Sequence, residues 1–291
     1  MKRIAILGCE NSHADIFLSL VSERAEFSDL QVAGVFSEDR SEAEKLNEKY
    51  GAPVMESPAD LVGKIDGLLI TARHGDRHYP YLKPYLEDKI PVFIDKPITI
   101  SESDAVALAA DLKQREIKVL GGSVLKYDDA IMRLKDESEN EVGGKTLGGS
   151  IIAPYQANNP YGGFFFYAPH GVEMVLQIFG RYPMSVSAKE GENKQIHIIF
   201  RYEEFCCEAT LRNEDYTYSA SLTSEKGESK CEIFATNEWF YREFSRFYKL
   251  LCGGNSPESY SDIIAPVFVL NAIYRSIIGD GSTENVSYPT L

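Results

Sequence analysis

Short apolar runs alternating with helical periods fill roughly the first 120 residues, and few architectures accept that order. The runs read RIAILG (3–8), LQVAGVF (30–36), DGLLITA (66–72), PVFID (91–95) and IKVLGG (117–122). Between them, residues 14–25, 40–50, 58–63, 77–88 and 102–115 carry apolar side chains at three-to-four spacing, which predicts helices. Strand and helix in strict alternation build a parallel sheet covered by helices.

Beyond about Val124 the pattern changes. A helix is predicted near 127–138, then four glycines (143, 144, 148, 149), then GGSIIAPYQ, KQIHIIFRY, FCCEATLR, YTYSASLTS and SKCEIFA. Several of these runs alternate apolar and polar residues, as strands of a one-sided antiparallel sheet do. Helices near 168–179, 237–252 and 260–278 would cover one face of it, leaving the other open for a second copy of the chain. A homodimer or homotetramer through the second domain is therefore expected. The domains divide as 1–123 and 124–291.

Thirty basic against 44 acidic residues in 291 give a formal charge of −14, which argues against nonspecific binding to nucleic acid or anionic membrane. Five cysteines, with no C-x-x-C spacing, suggest neither a disulfide framework nor a zinc site. The apolar run at Ile4–Leu7 is too short for a secretion signal, and no stretch reads as a membrane span, so a cytoplasmic location is expected.

The first strand runs into Gly8, as the phosphate cradle of a dinucleotide-binding Rossmann unit would. The G-x-G-x-x-G pattern then calls for glycine where this chain has Glu10 and His13. Glycine lets backbone approach a pyrophosphate and pack closely on the strand, and neither replacement can do this. Ser12-His13-Ala14-Asp15 has the form of a capping box, predicting a helix from His13 capped by Ser12. The free N–H groups of such a helix start favour an anion, with Gly8, Asn11, Ser12 and His13 around it and Glu10 opposing. A plain capped turn is the alternative. The fold class on this reading is an α/β Rossmann domain followed by an α+β domain with a mainly antiparallel open sheet.

Four further stretches lie where chemistry is expected. After the second strand, Ser37 with Arg40 would suit a ribose phosphate and favour NADP, whereas Glu38 or Asp39 would suit NAD. After the third, Ala72, Arg73, His74 and His78 lie at the carboxyl edge of the sheet, where a cofactor or substrate binds; no metal set accompanies the two histidines. After the fourth, Asp95-Lys96-Pro97 places a lysine where partial desolvation lowers its pKa and lets it orient or deprotonate a hydroxyl. In the second domain, His170, Glu173 and Gln177 share helical spacing behind the aromatic run Phe164 to Tyr167.

Taken in order, the opening strand and loop, DGLLITARHGDRH, VFIDKP, GGFFFYAPHGVE and LNAIYRSIIG resemble the Gfo/Idh/MocA family of oxidoreductases (glucose-fructose oxidoreductase and inositol dehydrogenase) over nearly the whole chain. The resemblance implies NAD or NADP as cofactor, with Asp95, Lys96 and Pro97 beside the nicotinamide and Lys96 touching substrate. The family's D-x-G-x-H motif maps its histidine to His170, its glycine to Ala168 and its acid-base aspartate to Phe166. Phenylalanine cannot carry a proton, so Lys96, His170 or Tyr167 must substitute. The expected activity is oxidoreduction at a hydroxyl or carbonyl of a sugar, polyol or related small metabolite. A regulatory ligand-binding protein on the same scaffold and an elimination through transient oxidation are the rivals.

Overall fold

The computed structural model describes residues 1–291. Its first half is the expected parallel sheet: β1 (Lys2–Leu7), β2 (Leu30–Phe36), β3 (Gly67–Ile70), β4 (Val92–Asp95) and β5 (Val119–Gly122), in the order β2-β1-β3-β4-β5. The interior residues of β1, β3 and β4 are fully buried, which is what their continuous apolar character requires. Because β2 and β3 flank β1, the strand order reverses there. A crevice opens at such a point above the carboxyl ends of the strands.

The covering helices are α1 (Ser12–Glu23), α2 (Arg40–Tyr50), the single turn α3 (His78–Leu82) and α4 (Glu102–Arg115). The helix expected at 58–63 does not form. Asp60 instead accepts the backbone N–H groups of Glu56 and Ser57, holding a string of turns that ends at Gly63 with φ +72°. The 77–88 expectation is met only in part: α3 is flanked by tight three-residue turns over 75–77 and 83–88. Helix α1 starts one residue before the predicted position. Asn11, not Ser12, is its cap, its Oδ1 accepting from His13 N at 3.2 Å.

The second half contains α5 (Asp129–Glu139), β6 (Thr146–Tyr155), α6 (Phe164–Phe179), β7 (Ser185–Glu190), β8 (Ile196–Arg201), β9 (Cys206–Asn213), β10 (Tyr218–Ser224), β11 (Gly227–Ile233), α7 (Glu238–Leu251), α8 (Tyr260–Ile278) and β12 (Glu284–Asn285). Its seven strands run β11-β10-β6-β9-β8-β7-β12, antiparallel except for the β6–β9 pair. Strand β8 alternates buried and open positions, so one face packs inward while the other meets solvent. Helix α6 lies against β6 and β9, and α8 against β7.

One expectation is corrected here. Helix α8 spans 19 residues at a mean hydropathy of 1.4, so one stretch does have the length and composition of a membrane span. In this fold 61% of that window is buried, because the helix sits between the second sheet and α4. Helix α7 returns to the first domain, where Phe244 and Phe247 join Phe17, Phe27 and Phe93 in its core.

Candidate functional site

Strand β4 ends on Asp95, and its backbone leads directly into Lys96 at the carboxyl edge of the parallel sheet. Asp95 is 1% exposed yet ionic. Its Oδ2 accepts from Asn11 Nδ2 at 2.9 Å and lies 2.6 Å from His13 Nδ1, at an angle off that of a straight hydrogen bond. Burial raises its pKa, but the charge and contact of His13, with Lys96 behind them, outweigh burial and hold it down at about 2. The first helix and the fourth strand are thus tied together through one carboxylate.

Lys96 is itself buried, and burial lowers its pKa against the opposing pull of Asp95, with Arg73 lowering it further. Its Nζ stands 4.3 Å from the centre of the Phe166 ring. The residue at the position of the missing aspartate therefore presents an aromatic face to the ammonium group, a contact that favours the charged form. Phe166 cannot take a proton, but it does fix where the lysine points.

His170 faces the same space from α6. Its Nδ1 lies 2.7 Å from Ser123 Oγ, and that oxygen also accepts from Leu125 N at 3.2 Å. The buried hydroxyl proton has Nδ1 as its acceptor, which assigns the imidazole proton to Nε2. Burial, then the nearby Lys96 charge, holds the His170 pKa well below its ordinary value, so the ring is neutral. Tyr167 stacks obliquely between His170 and Tyr216, each centroid at 5.6 Å, and burial raises its pKa, keeping the phenol protonated.

These groups meet in a cavity of about 300 Å³ between the domains, lined among others by Asn11, Ser12, Arg73, Lys96, Tyr167 and His170. A larger cavity of about 570 Å³ opens among α5, α7 and the C-terminal end of α6, around the ion-paired Lys126, Arg181 and Glu258. Of the residues singled out in the sequence it holds only Gln177. The expected residues Asn11, Ser12, Arg73, Lys96, Tyr167 and His170 gather at the smaller one.

Other expected residues are placed differently. Gly8 packs on the next loop: a Cβ there would lie 2.1 Å from Ala72 N, and its φ is +96°. Ala72 is fully buried beneath it. His78 is also fully buried, Nε2 2.8 Å from the Ala72 carbonyl and Nδ1 3.3 Å from that of Ile98; burial keeps the ring neutral with one N–H to donate, the shorter contact goes to Ala72, and the side chain cannot touch a ligand. His74 pairs with Asp76 at 2.7 Å at the rim. His13, read as a donor to an anion, is turned into the domain against Asp95 and edge-on to Phe240. Arg40 bonds Glu44 at 2.8 Å and Glu56 at 2.5 Å on the surface, away from Ser37. Ser37 is buried and donates to Glu10.

The cradle still has the donors of an anion site. The backbone N–H groups of Glu10, Asn11 and Ser12, at the start of α1, have no acceptor within the protein. A pyrophosphate fits such a helix start. Three residues at or beside the site escaped the sequence reading. Ser123 follows β5 at the same carboxyl edge that marked Lys96, so its position was a usable signal; Gln156 and Asn159, which also line the cavity, carried none.

Residues 2–122 match the model of an oxidoreductase family with an NAD-binding Rossmann fold, Gfo/Idh/MocA. Among solved structures, a scyllo-inositol dehydrogenase from Lactobacillus casei, with NAD(H) and scyllo-inositol bound, superposes with a TM-score of 0.85 at 15% identity, covering 98% of this chain and 99% of that one. A myo-inositol dehydrogenase from Corynebacterium glutamicum gives 0.84 at 17% identity over 100% of both chains. An oxidoreductase from Thermotoga maritima gives 0.81 at 19% identity over 98% of both. No curated protein matches the chain in sequence.

Proposed function

We propose that the protein is an NAD-dependent dehydrogenase, a reading supported by the match of residues 2–122 to the Gfo/Idh/MocA oxidoreductase family. Its substrate would be a sugar, a polyol or a related small metabolite carrying a secondary hydroxyl. One observation carries this reading. A buried lysine of lowered pKa and a neutral histidine share one interdomain cavity with the donor-bearing start of α1.

The N–H groups of Glu10, Asn11 and Ser12 would hold the pyrophosphate, and the cofactor, when bound, accepts the hydride. Lys96 Nζ, held by the Phe166 face, takes the proton of the reacting hydroxyl. His170 donates from Nε2 to a neighbouring substrate oxygen, its ring orientation set by Ser123. Tyr167, half-buried and protonated, supplies a second donor. The cavity between the two domains would shield the reacting carbon from bulk water. The open face of the second sheet supports assembly into a homodimer or homotetramer, which sedimentation at working concentration tests.

The deciding experiment is a titration of purified protein with NADH and NADPH by nicotinamide fluorescence, followed by a screen of inositols and sugars for NAD reduction. Lys96→Ala is expected to abolish turnover and leave NADH affinity nearly unchanged. Saturable binding with no turnover of any polyol would move the assignment to a ligand-sensing protein, the reading that Phe166 in place of an acid favours.

A further inference from the structure

Glu10 stands where a dinucleotide cradle ordinarily has glycine, and the fold gives its carboxylate a defined place. Oε2 accepts from Ser37 Oγ at 2.9 Å, and Oε1 accepts from the backbone N–H of Arg73 at 3.1 Å. Ser37 follows β2 and Arg73 lies just past β3, while Glu10 itself follows β1. The carboxylate therefore sits in the crevice where the order β2-β1-β3 reverses.

In dinucleotide folds the end of β2 ordinarily supplies the acid that holds the adenosine ribose hydroxyls. Here that end is Ser37, buried and uncharged. We propose that Glu10 supplies the ribose-binding carboxylate that β2 lacks, delivered from the first loop, and that it selects NAD against NADP. The inference rests on the dinucleotide reading above and deepens it.

An ionised carboxylate offers about four lone-pair directions. Ser37 and the Arg73 N–H use two, which fixes the group and leaves the others for a sugar diol. The Ser37 hydroxyl gives its proton to Glu10 and so keeps its own lone pairs for a ribose hydroxyl. A 2′-phosphate at the same point meets Glu10 and the neighbouring Glu38 and Asp39, with no cation free to answer it. Arg40 is bonded to Glu44 and Glu56, and Arg77 lies 3.3 Å from Glu38 and 3.7 Å from Asp76. The Arg73 guanidinium is stacked on Tyr161 at 5.0 Å, toward the other domain.

The test is direct titration of wild type, Glu10→Gln, Glu10→Ala and the double variant Glu10→Gln/Ser37→Asp with NADH and NADPH, with thermal unfolding as a check on folding. Wild type is expected to bind NADH at least about tenfold more tightly than NADPH, and Glu10→Gln to lose about tenfold toward NADH while gaining toward NADPH. The double variant, with an acid restored at the end of β2, is expected to recover NADH affinity and discrimination. NADH binding in Glu10→Ala as tight as in wild type, or tighter, overturns the proposal, because the carboxylate is then an obstruction or a loop tie only. Parallel loss of both nucleotides in Glu10→Gln overturns the selectivity. Wild type binding neither nucleotide overturns the dinucleotide reading as well, so the two failures are distinct.

Discussion

Ser123 Oγ lies 2.7 Å from His170 Nδ1, joining the end of the parallel sheet to the helix that carries the second domain's share of the site. The hydroxyl has no other acceptor for its proton and so holds the imidazole in one tautomer. Ser123→Ala is expected to lower kcat about three- to tenfold, the worth of one neutral hydrogen bond. NADH affinity should stay as in wild type. An unchanged kcat would mean that His170 needs no such positioning.

The Phe166 ring favours the charged form of Lys96 while burial opposes it. Phe166→Leu removes the aromatic face and leaves the burial, so the Lys96 pKa falls further. The rise of kcat/KM with pH, which follows deprotonation of Lys96, should move to lower pH by up to about one unit. A shift to higher pH would show that the ring acts through packing rather than through its electrostatics.

Asp95 has a folded pKa of about 2, below the roughly 3.9 of an unfolded chain. Its contribution to stability is therefore complete above about pH 4 and is lost as pH falls toward 2. Asp95→Asn should flatten that part of the stability profile in urea unfolding. The variant also loses the buried carboxylate contacts to Asn11 and His13, so a lower urea midpoint is expected at neutral pH as well.

Gly8→Ala should destabilise the protein by more than about 2 kcal/mol, because a Cβ at φ +96° would overlap the Ala72 backbone. Thermal unfolding measures this without any ligand. A change in melting temperature of less than about 2 °C would show that the β1 and β3 loops part easily.

All five strands of the parallel sheet and the capped helix α8 were legible in the sequence, because local periodicity and propensity agree there with the global fold. Local cues misled elsewhere. The run at 58–63 has helical spacing, but Asp60 captures the backbone N–H groups that a helix would have used. The helix of the second domain was expected from 168, yet α6 starts at Phe164, its first turn tightened by bonds from Phe165 N to Gly162 O and Phe166 N to Gly163 O. Strand β7 went unseen, since its sequence SVSAKE is weakly apolar and its pairing comes from β8 and β12.

By itself, then, the order of apolar runs determined a parallel sheet followed by an open antiparallel one, and the carboxyl-edge rule singled out Lys96. Only tertiary structure decided what surrounds it. His13 and His78 look like ligand residues in a linear reading, but each is committed within the fold, to Asp95 and to the Ala72 carbonyl respectively. Glu10 reads as a flaw until the ends of three strands come together around it. Pairings such as His13 with Asp95 or Ser123 with His170 join residues tens of positions apart, and no local pattern encodes a contact that exists only once the chain has closed on itself.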